Sequence, residues 1–183
     1  WQGINALEQG FGLLADLREE LMREEHPVLG RSTLQVTMAE GGIAPNMTPD
    51  RAQFLADIRI VPPLNEKEVL NRLECLIEKR CEVYNGGLSF TPEISNYRMP
   101  VETGPENQWL HRLKGFIGDN AGETGINYFT DASIFLTAWP DSPALLFGPG
   151  EPQMCHKPNE YVEISKYFEA IRVMEKFCWY IAK

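Results

Sequence analysis

The feature that most constrains the fold of this chain is a repeated switch of hydrophobic periodicity in its first half. Residues 3–24 place apolar side chains three and four positions apart, which predicts an amphipathic helix. Two shorter segments, residues 33–38 and 54–60, alternate apolar and polar side chains, as strands with one buried face do. A second helix with Asn65 as its N-cap follows, and residues 88–90 begin a third strand after an Asn-Gly-Gly turn.

The resulting order of helix, strand, strand, helix and strand is a split βαβ unit without its first strand. The sequence therefore predicts an α+β, ferredoxin-like domain over residues 1–98, with the absent strand upstream of Trp1. On the first helix the expected apolar stripe is Ile4, Leu7, Phe11, Leu14, Leu17 and Leu21. On the two strands the side chains expected to face one core are Leu34, Val36, Met38, Phe54, Ala56, Ile58 and Ile60.

Residues 99–183 have a different character. A helix is predicted around residues 108–120, and the continuous apolar run at 144–147 favours a parallel strand buried on both faces. A last helix is predicted at about 160–182, and its stripe, expected to be buried, is Ile164, Phe168, Ile171, Met174, Cys178 and Ile181. One strand is too few for a doubly wound sheet, so this half is predicted to be the C-terminal portion of an α/β domain.

Charge and composition exclude several classes of partner. The net charge of −9 over 183 residues argues against nucleic acid, because phosphate binding needs clustered Lys and Arg. No apolar run approaches the roughly 20 residues needed to span a bilayer, and no signal peptide pattern is present, so no membrane partner is expected. The four cysteines match no metal or redox spacing. Free thiols and a cytoplasmic location are therefore predicted.

His156, one of three histidines, lies in the glycine-proline stretch FGPGEPQMCHKPNEYVEI. It follows the apolar run, and open α/β sheets carry their sites at such strand ends. Metal ligation or proton transfer and a structural loop histidine both remain open. A zinc site needs three or four ligands, and the adjacent Cys155 fits a small buried residue, with thiolate ligation as the minor alternative.

Two other residues, Asn46 and Arg59, have both a functional and a structural interpretation. Asn46 lies in a loop where its amide can face a ligand, but from the residues alone an Asx-turn ahead of Pro49 is the better explanation. Arg59, on the polar face of the second strand, is either solvated or a bidentate clamp for a carboxylate. Thr130 or Asp131 is a natural helix N-cap. The fingerprints of nucleotide binding and of serine hydrolases are absent from the sequence.

Four stretches, taken in order, resemble the two-zinc exopeptidase and deacylase family. This family includes acetylornithine deacetylase, succinyl-diaminopimelate desuccinylase and the glutamate carboxypeptidases. The stretches are QGINALE, EGGIAPNMTPDRAQFLADIRIVP, FTDAS and FGPGEPQMCHKPNEYV. Members have a zinc-binding α/β domain interrupted by a smaller lid domain that often forms the dimer interface. The resemblance implies that residues 1–98 are the lid, without its first strand, and residues 99–183 the C-terminal portion of the catalytic domain.

The resemblance also implies roles for individual residues. His156 would be a zinc ligand, while Asn46 and Arg59 would bind the substrate's carboxylate or the reacting carbonyl oxygen. A joint contact of Arg59 and Asn46 with the free carboxylate is the expectation. The backbone of the loop would line the pocket at Gly148, Pro149 and Gly150.

Thr130 and Asp131 match a recurring Thr-Asp pair, for which the resemblance implies a supporting or structural role near the metal. The family's other zinc ligands and its general base are expected upstream of the lid, outside this chain. Cys155 replaces the small residue that usually precedes the histidine. The chain by itself is therefore expected to be inert, although the parent protein is expected to be an enzyme.

The resemblance implies that the parent protein hydrolyses an amide bond in an N-acyl amino acid or small peptide. It would use two zinc ions, or cobalt in their place, and would form a homodimer through the lid. The main alternative is a non-catalytic, lid-derived dimerisation or interaction module. A third alternative is an unrelated ferredoxin-like domain that binds amino acids.

Overall fold

Residues 3–118, 122, 124–126, 128–155 and 157–183 are described by the computed structural model of the chain. They belong to two compact units, Trp1–Pro100 and Val101–Lys183. Each unit has its own secondary structure and its own buried side chains.

The first unit consists of two helices, a long hairpin and a short two-stranded ladder. Its elements in chain order are α1 (Ala6–Leu21), β1 (Glu25–His26), β2 (Gly30–Arg31), β3 (Thr33–Gly41), β4 (Ala52–Arg59) and α2 (Glu66–Val83). β1 pairs with β2, and β3 pairs with β4, both antiparallel. The predicted order of helix, strand, strand and helix is therefore confirmed for α1, β3, β4 and α2, whereas the short β1–β2 ladder was not predicted.

Both helices of this unit begin at asparagine caps. The side-chain oxygen of Asn5 accepts a hydrogen bond from the Leu7 N–H at 3.1 Å, at the start of α1. The Asn65 side chain accepts from the Glu68 N–H at 3.1 Å, at the start of α2, as the sequence predicts. These bonds satisfy N–H groups that have no partner within their own helix.

The core of the first unit lies between its helices and one face of the β3–β4 hairpin. Its buried members are Leu17, Leu21, Leu34, Leu64 and Val69. Helix α1 packs on both strands and on α2. Burial of each large apolar side chain contributes about 1.5–3 kcal/mol relative to exposure, so this cluster stabilises the first unit.

The buried face of α1 is rotated relative to the predicted stripe. Leu13 is buried, whereas the predicted core residue Phe11 is 48% exposed and meets the Phe54 ring edge-on at 5.0 Å. The cause is Gly10, where a Cβ atom would overlap the Phe54 ring. The missing side chain lets α1 approach β4 closely, which turns the face containing Gly10, Leu13 and Leu17 toward the sheet.

A β-bulge in β3 changes which of its side chains face the core. Val36 pairs with Ala56 but Met38 pairs with Leu55, so Thr37 is the extra residue. Successive strand residues point to opposite faces. Because Thr37 is left out of the ladder, each residue beyond it faces opposite to the side that the alternation up to Val36 predicts. Met38 is therefore 55% exposed, and its predicted place in the core is wrong.

The predicted third strand at residues 88–90 is also wrong, because no strand follows α2 in the described part of the first unit. Asn85 and Gly86 form the expected turn, with φ of 48° and 83°. In the ferredoxin-like arrangement the last strand pairs with the first, and the described sheet holds only β3 and β4. Without that neighbour, residues 88–90 cannot form ladder hydrogen bonds.

The second unit is helical over the residues that the structure describes. Its elements are α3 (Gln108–Ile117), α4 (Ala132–Ala138), a single 3-10 turn (Pro152–Met154) and α5 (Ile164–Ile181). Helices α3 and α5 pack through edge-on rings with centroids 6.3–6.4 Å apart, supplied by Trp109, Phe116, Phe177 and Tyr180. Within the described ranges, no helix has both the length and the apolar character to cross a bilayer.

Two predictions about burial in the second unit are wrong. Residues 144–147 form no strand, and Leu146 is 59% exposed. The Thr103 hydroxyl instead contacts both the N–H (3.0 Å) and the carbonyl oxygen (2.7 Å) of Ala144. The predicted stripe of α5 is exposed, including Phe168, while Ala170 and Val173 are buried. Periodicity identifies an apolar face, but its burial requires an element that covers it.

Candidate substrate and metal site

Arg59 lies on the outer face of the hairpin, the face turned away from the core. Along β4 the side chains alternate between half-buried and exposed, and Arg59 falls on the exposed set, as predicted. Its Nε atom is 3.3 Å from Oδ2 of Asp57, two residues earlier on the same face. This ion pair is exposed and so adds little stability. It does orient the guanidinium along the strand.

Asn46 lies in the ten-residue connection between β3 and β4. A backbone hydrogen bond from the Met47 N–H to the Ala44 carbonyl, 3.1 Å long, closes the turn that contains it. Asn46 is exposed. No side-chain hydrogen bond of Asn46 is found in the described part of the chain, so the backbone rather than an Asx-turn makes this turn.

The base of this loop is fixed to the start of α1. The Ala6 N–H donates to the Pro49 carbonyl at 2.9 Å. Gly41 lies so close to Leu7 and to the Arg51 carbonyl that a Cβ atom would come within 3.0 Å of each. Gly42 follows with φ of 80°, a left-handed conformation that favours glycine. The Gly-Gly pair thus lets the loop turn toward the helix layer.

The structure does not bring Asn46 and Arg59 together. Gly41 pairs with Ala52 at the loop end of the hairpin, and Thr33 pairs with Arg59 at the opposite end. Strand β4 contains eight residues, so its ends are about 23 Å apart at the usual rise per residue. The register thus separates the Asn46 loop from Arg59 by about the length of β4, and their joint contact with one carboxylate stays a prediction.

In the second unit, the Gly148-Pro149-Gly150 turn lies against α5. Gly148 and Pro149 border an open depression of about 420 Å³, whose other wall includes Tyr167 and Met174 of α5. The loop is tied to the same helix by an ion pair between Glu151 and Lys166. The hydrogen bond to the Glu151 carboxylate, followed by its charge, raises the pKa of the Lys166 ammonium above its ordinary value.

His156 lies outside the described residues, and its role as a metal ligand stays a prediction. Its neighbour Cys155 is half-buried, and the Cys155 thiol donates to the Tyr128 hydroxyl oxygen at 3.7 Å. The structure thus joins the stretch that precedes Thr130 to the stretch that precedes His156. Sequence spacing gave no sign of that contact.

Thr130 and Asp131 lie where the chain enters α4. Asp131 occupies the N-cap position, but its side chain makes no capping hydrogen bond. The Thr130 backbone carbonyl instead accepts from the Ser133 N–H and hydroxyl, both at 3.3 Å. The capping explanation is therefore wrong for the Asp131 side chain. Both residues border a second open depression, also lined by Trp139.

Among the residues that the structure describes, no group of three or more His, Cys, Asp and Glu side chains could hold a metal ion. The four cysteines are described and all are free thiols. A catalytic zinc site needs three protein ligands. The described residues thus do not fit a complete metal site.

Comparison with known proteins shows which proteins this chain resembles. Residues 1–85 match the model of the peptidase dimerisation domain of the M20 type. Over 98% of its length the chain is 27% identical to acetylornithine deacetylase from Shigella sonnei (strain Ss046), and it covers 48% of that protein. In fold it is similar to an M20 family metallo-carboxypeptidase from Sulfolobus solfataricus, with a TM-score of 0.52 and 20% identity over 90% of this chain and 41% of the other.

The first unit is thus the lid type of domain that the sequence predicted. The chain as a whole resembles M20 peptidases and deacylases, as its four stretches indicated. Both named relatives are enzymes, and the chain spans about half the length of each.

Proposed function

We propose that this chain is part of a metal-dependent hydrolase that cleaves an amide bond in an N-acyl amino acid or a small peptide. The observation that carries the proposal is Arg59, exposed on the outer face of a peptidase dimerisation domain. The similar acetylornithine deacetylase acts on an N-acyl amino acid. Residues 1–98 would form the lid, and residues 99–183 would belong to the catalytic domain.

Arg59 would anchor the substrate's free carboxylate. A guanidinium presents its N–H donors in a planar fork that matches the two oxygens of a carboxylate, and such charge-assisted pairs are strong. The contact with Asp57 at 3.3 Å involves Nε and holds the guanidinium in place along the strand. Asn46 would contact another polar group of the substrate, such as the reacting carbonyl oxygen.

The distance between these two residues supports a homodimer. The Asn46 loop and Arg59 lie at opposite ends of β4, about 23 Å apart, whereas an N-acyl amino acid is about half as long, so one substrate would not reach both side chains of one copy. A second copy would supply the missing contact. Self-association is also what a peptidase dimerisation domain implies, and closed pairs are the commonest oligomers.

Zinc, in two ions per complete site, is the metal that we propose, with His156 as one ligand and cobalt as a possible substitute. A divalent metal of this kind polarises a carbonyl oxygen and generates a nucleophilic water. The described residues supply no ligand cluster, so the chain alone should be inert.

The second unit would support the metal ligand. The Gly148-Pro149-Gly150 turn would line the pocket, and the stretch with Thr130 and Asp131 would hold the histidine loop through Tyr128 and Cys155. The four free thiols agree with the proposed cytoplasmic location.

The test is hydrolysis of N-acyl amino acids by the whole protein loaded with zinc or cobalt. Arg59→Met should lower kcat/KM by about 10- to 100-fold, because a hydrogen bond to a charged group contributes roughly 1.5–3 kcal/mol. Arg31→Met is the matched control, since Arg31 is a similarly exposed arginine paired with Glu25. Absence of metal-dependent hydrolysis, or activity that survives His156→Ala, would contradict the proposal.

A non-catalytic dimerisation module is the second candidate, and the absence of a ligand cluster from the described residues favours it for the chain by itself. Elemental analysis and light scattering on the 183-residue chain separate the cases. A dimer with well under one zinc per chain fits both candidates, and only hydrolysis by the whole protein then decides. One or more tightly bound zinc ions per chain would contradict the module.

A further inference from the structure

An exposed apolar pair lies beside Arg59 on the outer face of the hairpin. Met38 of β3 and Leu55 of β4 are direct cross-strand partners. They are 55% and 49% exposed, respectively, although both are large apolar side chains. Their neighbours on this face are polar, since Gln53 precedes Leu55 by two positions and Asp57 follows it by two. The pair is therefore a small apolar island within a polar surface.

The bulge at Thr37 creates this pair. If Thr37 were paired as an ordinary ladder residue, Met38 would share the core face with Val36. The Thr37 hydroxyl donates to the Leu55 carbonyl at 3.2 Å, which fixes the bulge to the strand opposite. Bulges commonly redirect a side chain near a functional site. Here the redirected side chain is Met38, and it comes to lie against Leu55.

Arg59 and the apolar pair are separated by a distance that suits a small molecule. Leu55 and Arg59 are four residues apart on the same face, so their Cα atoms are about 13 Å apart. The Arg59 side chain approaches Asp57, which lies between them, and covers part of that distance. A ligand with its carboxylate at the guanidinium would extend over Asp57 toward Leu55 and Met38.

We propose that Met38 and Leu55 form the apolar part of the substrate site whose charged part is Arg59. The pair selects substrates with an apolar group, either the acyl chain or the amino-acid side chain, over substrates that are polar there. This inference rests on the function proposed above. It names two specificity-determining residues and the chemical class of the substrate.

The size of the pair favours a small ligand over a protein partner. A stable protein–protein interface buries about 800 Å² on each side, far more than two side chains provide. The surrounding Gln53, Asp57 and Arg59 would all have to be desolvated as well. A small amphipathic ligand covers the pair and keeps these polar groups at its edges.

Two substrate series test the proposal in the zinc-loaded whole protein. One series lengthens the acyl chain from acetyl to hexanoyl on a fixed amino acid, and the other lengthens the aliphatic side chain of an N-acetyl amino acid. In the wild type, kcat/KM should rise by up to about fourfold per methylene in one series, the value for full burial of that group. Leu55→Thr and Met38→Thr should flatten that slope.

Val83→Thr is the matched control, because Val83 is 73% exposed and lies at the end of α2, away from the hairpin face. It should leave the slope unchanged. Arg59→Met should lower kcat/KM by the same factor for every substrate, so the dependence of kcat/KM on chain length should stay unchanged. Light scattering on Leu55→Thr should show an unchanged oligomeric state.

Each contrary result has a distinct meaning. A flat slope in the wild type, or an unchanged slope in Leu55→Thr, overturns the role of the pair while the proposed hydrolase stands. A Leu55→Thr protein that dissociates overturns it in favour of a subunit interface. Absence of hydrolysis of every substrate overturns both proposals.

Discussion

The two units of this chain bury their apolar side chains to different degrees. In the first unit, two helices and a hairpin enclose a shared core that includes Leu17, Leu21 and Leu34. In the second unit, α5 buries only Ala170 and Val173 and exposes a line of large apolar residues. An amphipathic helix is stable in a domain only when another element covers its apolar face. The comparison therefore predicts that substitutions of similar chemistry will have different consequences in the two units.

The largest difference is expected for truncation of a large apolar side chain. Leu17→Ala removes a side chain that is 1% exposed, and it should lower the free energy of unfolding by about 3 kcal/mol through lost burial and a cavity. Phe168→Ala removes one that is 55% exposed, and it should change the same quantity by less than about 1 kcal/mol. Urea denaturation of the 183-residue chain measures both. Equal losses would show that the second unit has a core that includes Phe168.

Replacement of two helical glycines by alanine should change the free energy of unfolding in opposite directions. Gly10→Ala places a Cβ atom on the Phe54 ring, and overpacking of this kind costs about 1–3 kcal/mol. Gly115→Ala in α3 meets nothing within 4 Å, and it should stabilise by about 0.5–1 kcal/mol because alanine favours a helix. Thermal unfolding of each variant gives the sign. Phe54→Leu should restore part of the loss caused by Gly10→Ala if the ring is its cause.

The smallest difference is expected at two helix caps. Asn65→Ala removes a side-chain bond to the Glu68 N–H and should cost about 1 kcal/mol. Asp131→Ala removes a side chain that makes no capping bond, and its effect on the free energy of unfolding should stay within about 0.5 kcal/mol. Denaturant midpoints of the two variants test this. An equal loss at both positions would mean that Asp131 stabilises α4 in solution.

Local signals in the sequence predicted the elements of the first unit well. Asparagine caps, helical stripes and strand alternation are set by neighbours within a few positions, so Asn65 and the β3–β4 hairpin could be recognised from the sequence. The bulge at Thr37 could not, because it depends on how two strands pair. One signal was present, since Leu55 interrupts the alternation of β4 with an apolar residue on its polar face.

Features that depend on contacts between distant segments were predicted poorly. Residues 88–90 and 144–147 are apolar enough for strands, but a strand exists only with a neighbour to pair with. The separation of Asn46 from Arg59 follows from the hairpin register, which their 12 intervening positions in the sequence do not reveal. The contact between Cys155 and Tyr128 likewise joins segments that are distant in sequence. In each case the deciding interaction was non-local.

The bulge at Thr37 decides which residues in the second half of β3 face the core. From Thr33 to Val36 the even-numbered residues face the core, whereas from Met38 onward the odd-numbered residues do. Deletion of Thr37 would turn the bulge into a regular ladder and keep Met38 opposite Leu55, whereas pairing of Thr37 itself with Leu55 would exchange the inner and outer faces along the rest of β3. The composition of the outer face that carries Arg59 therefore depends on whether the bulge forms, without any substitution on that face.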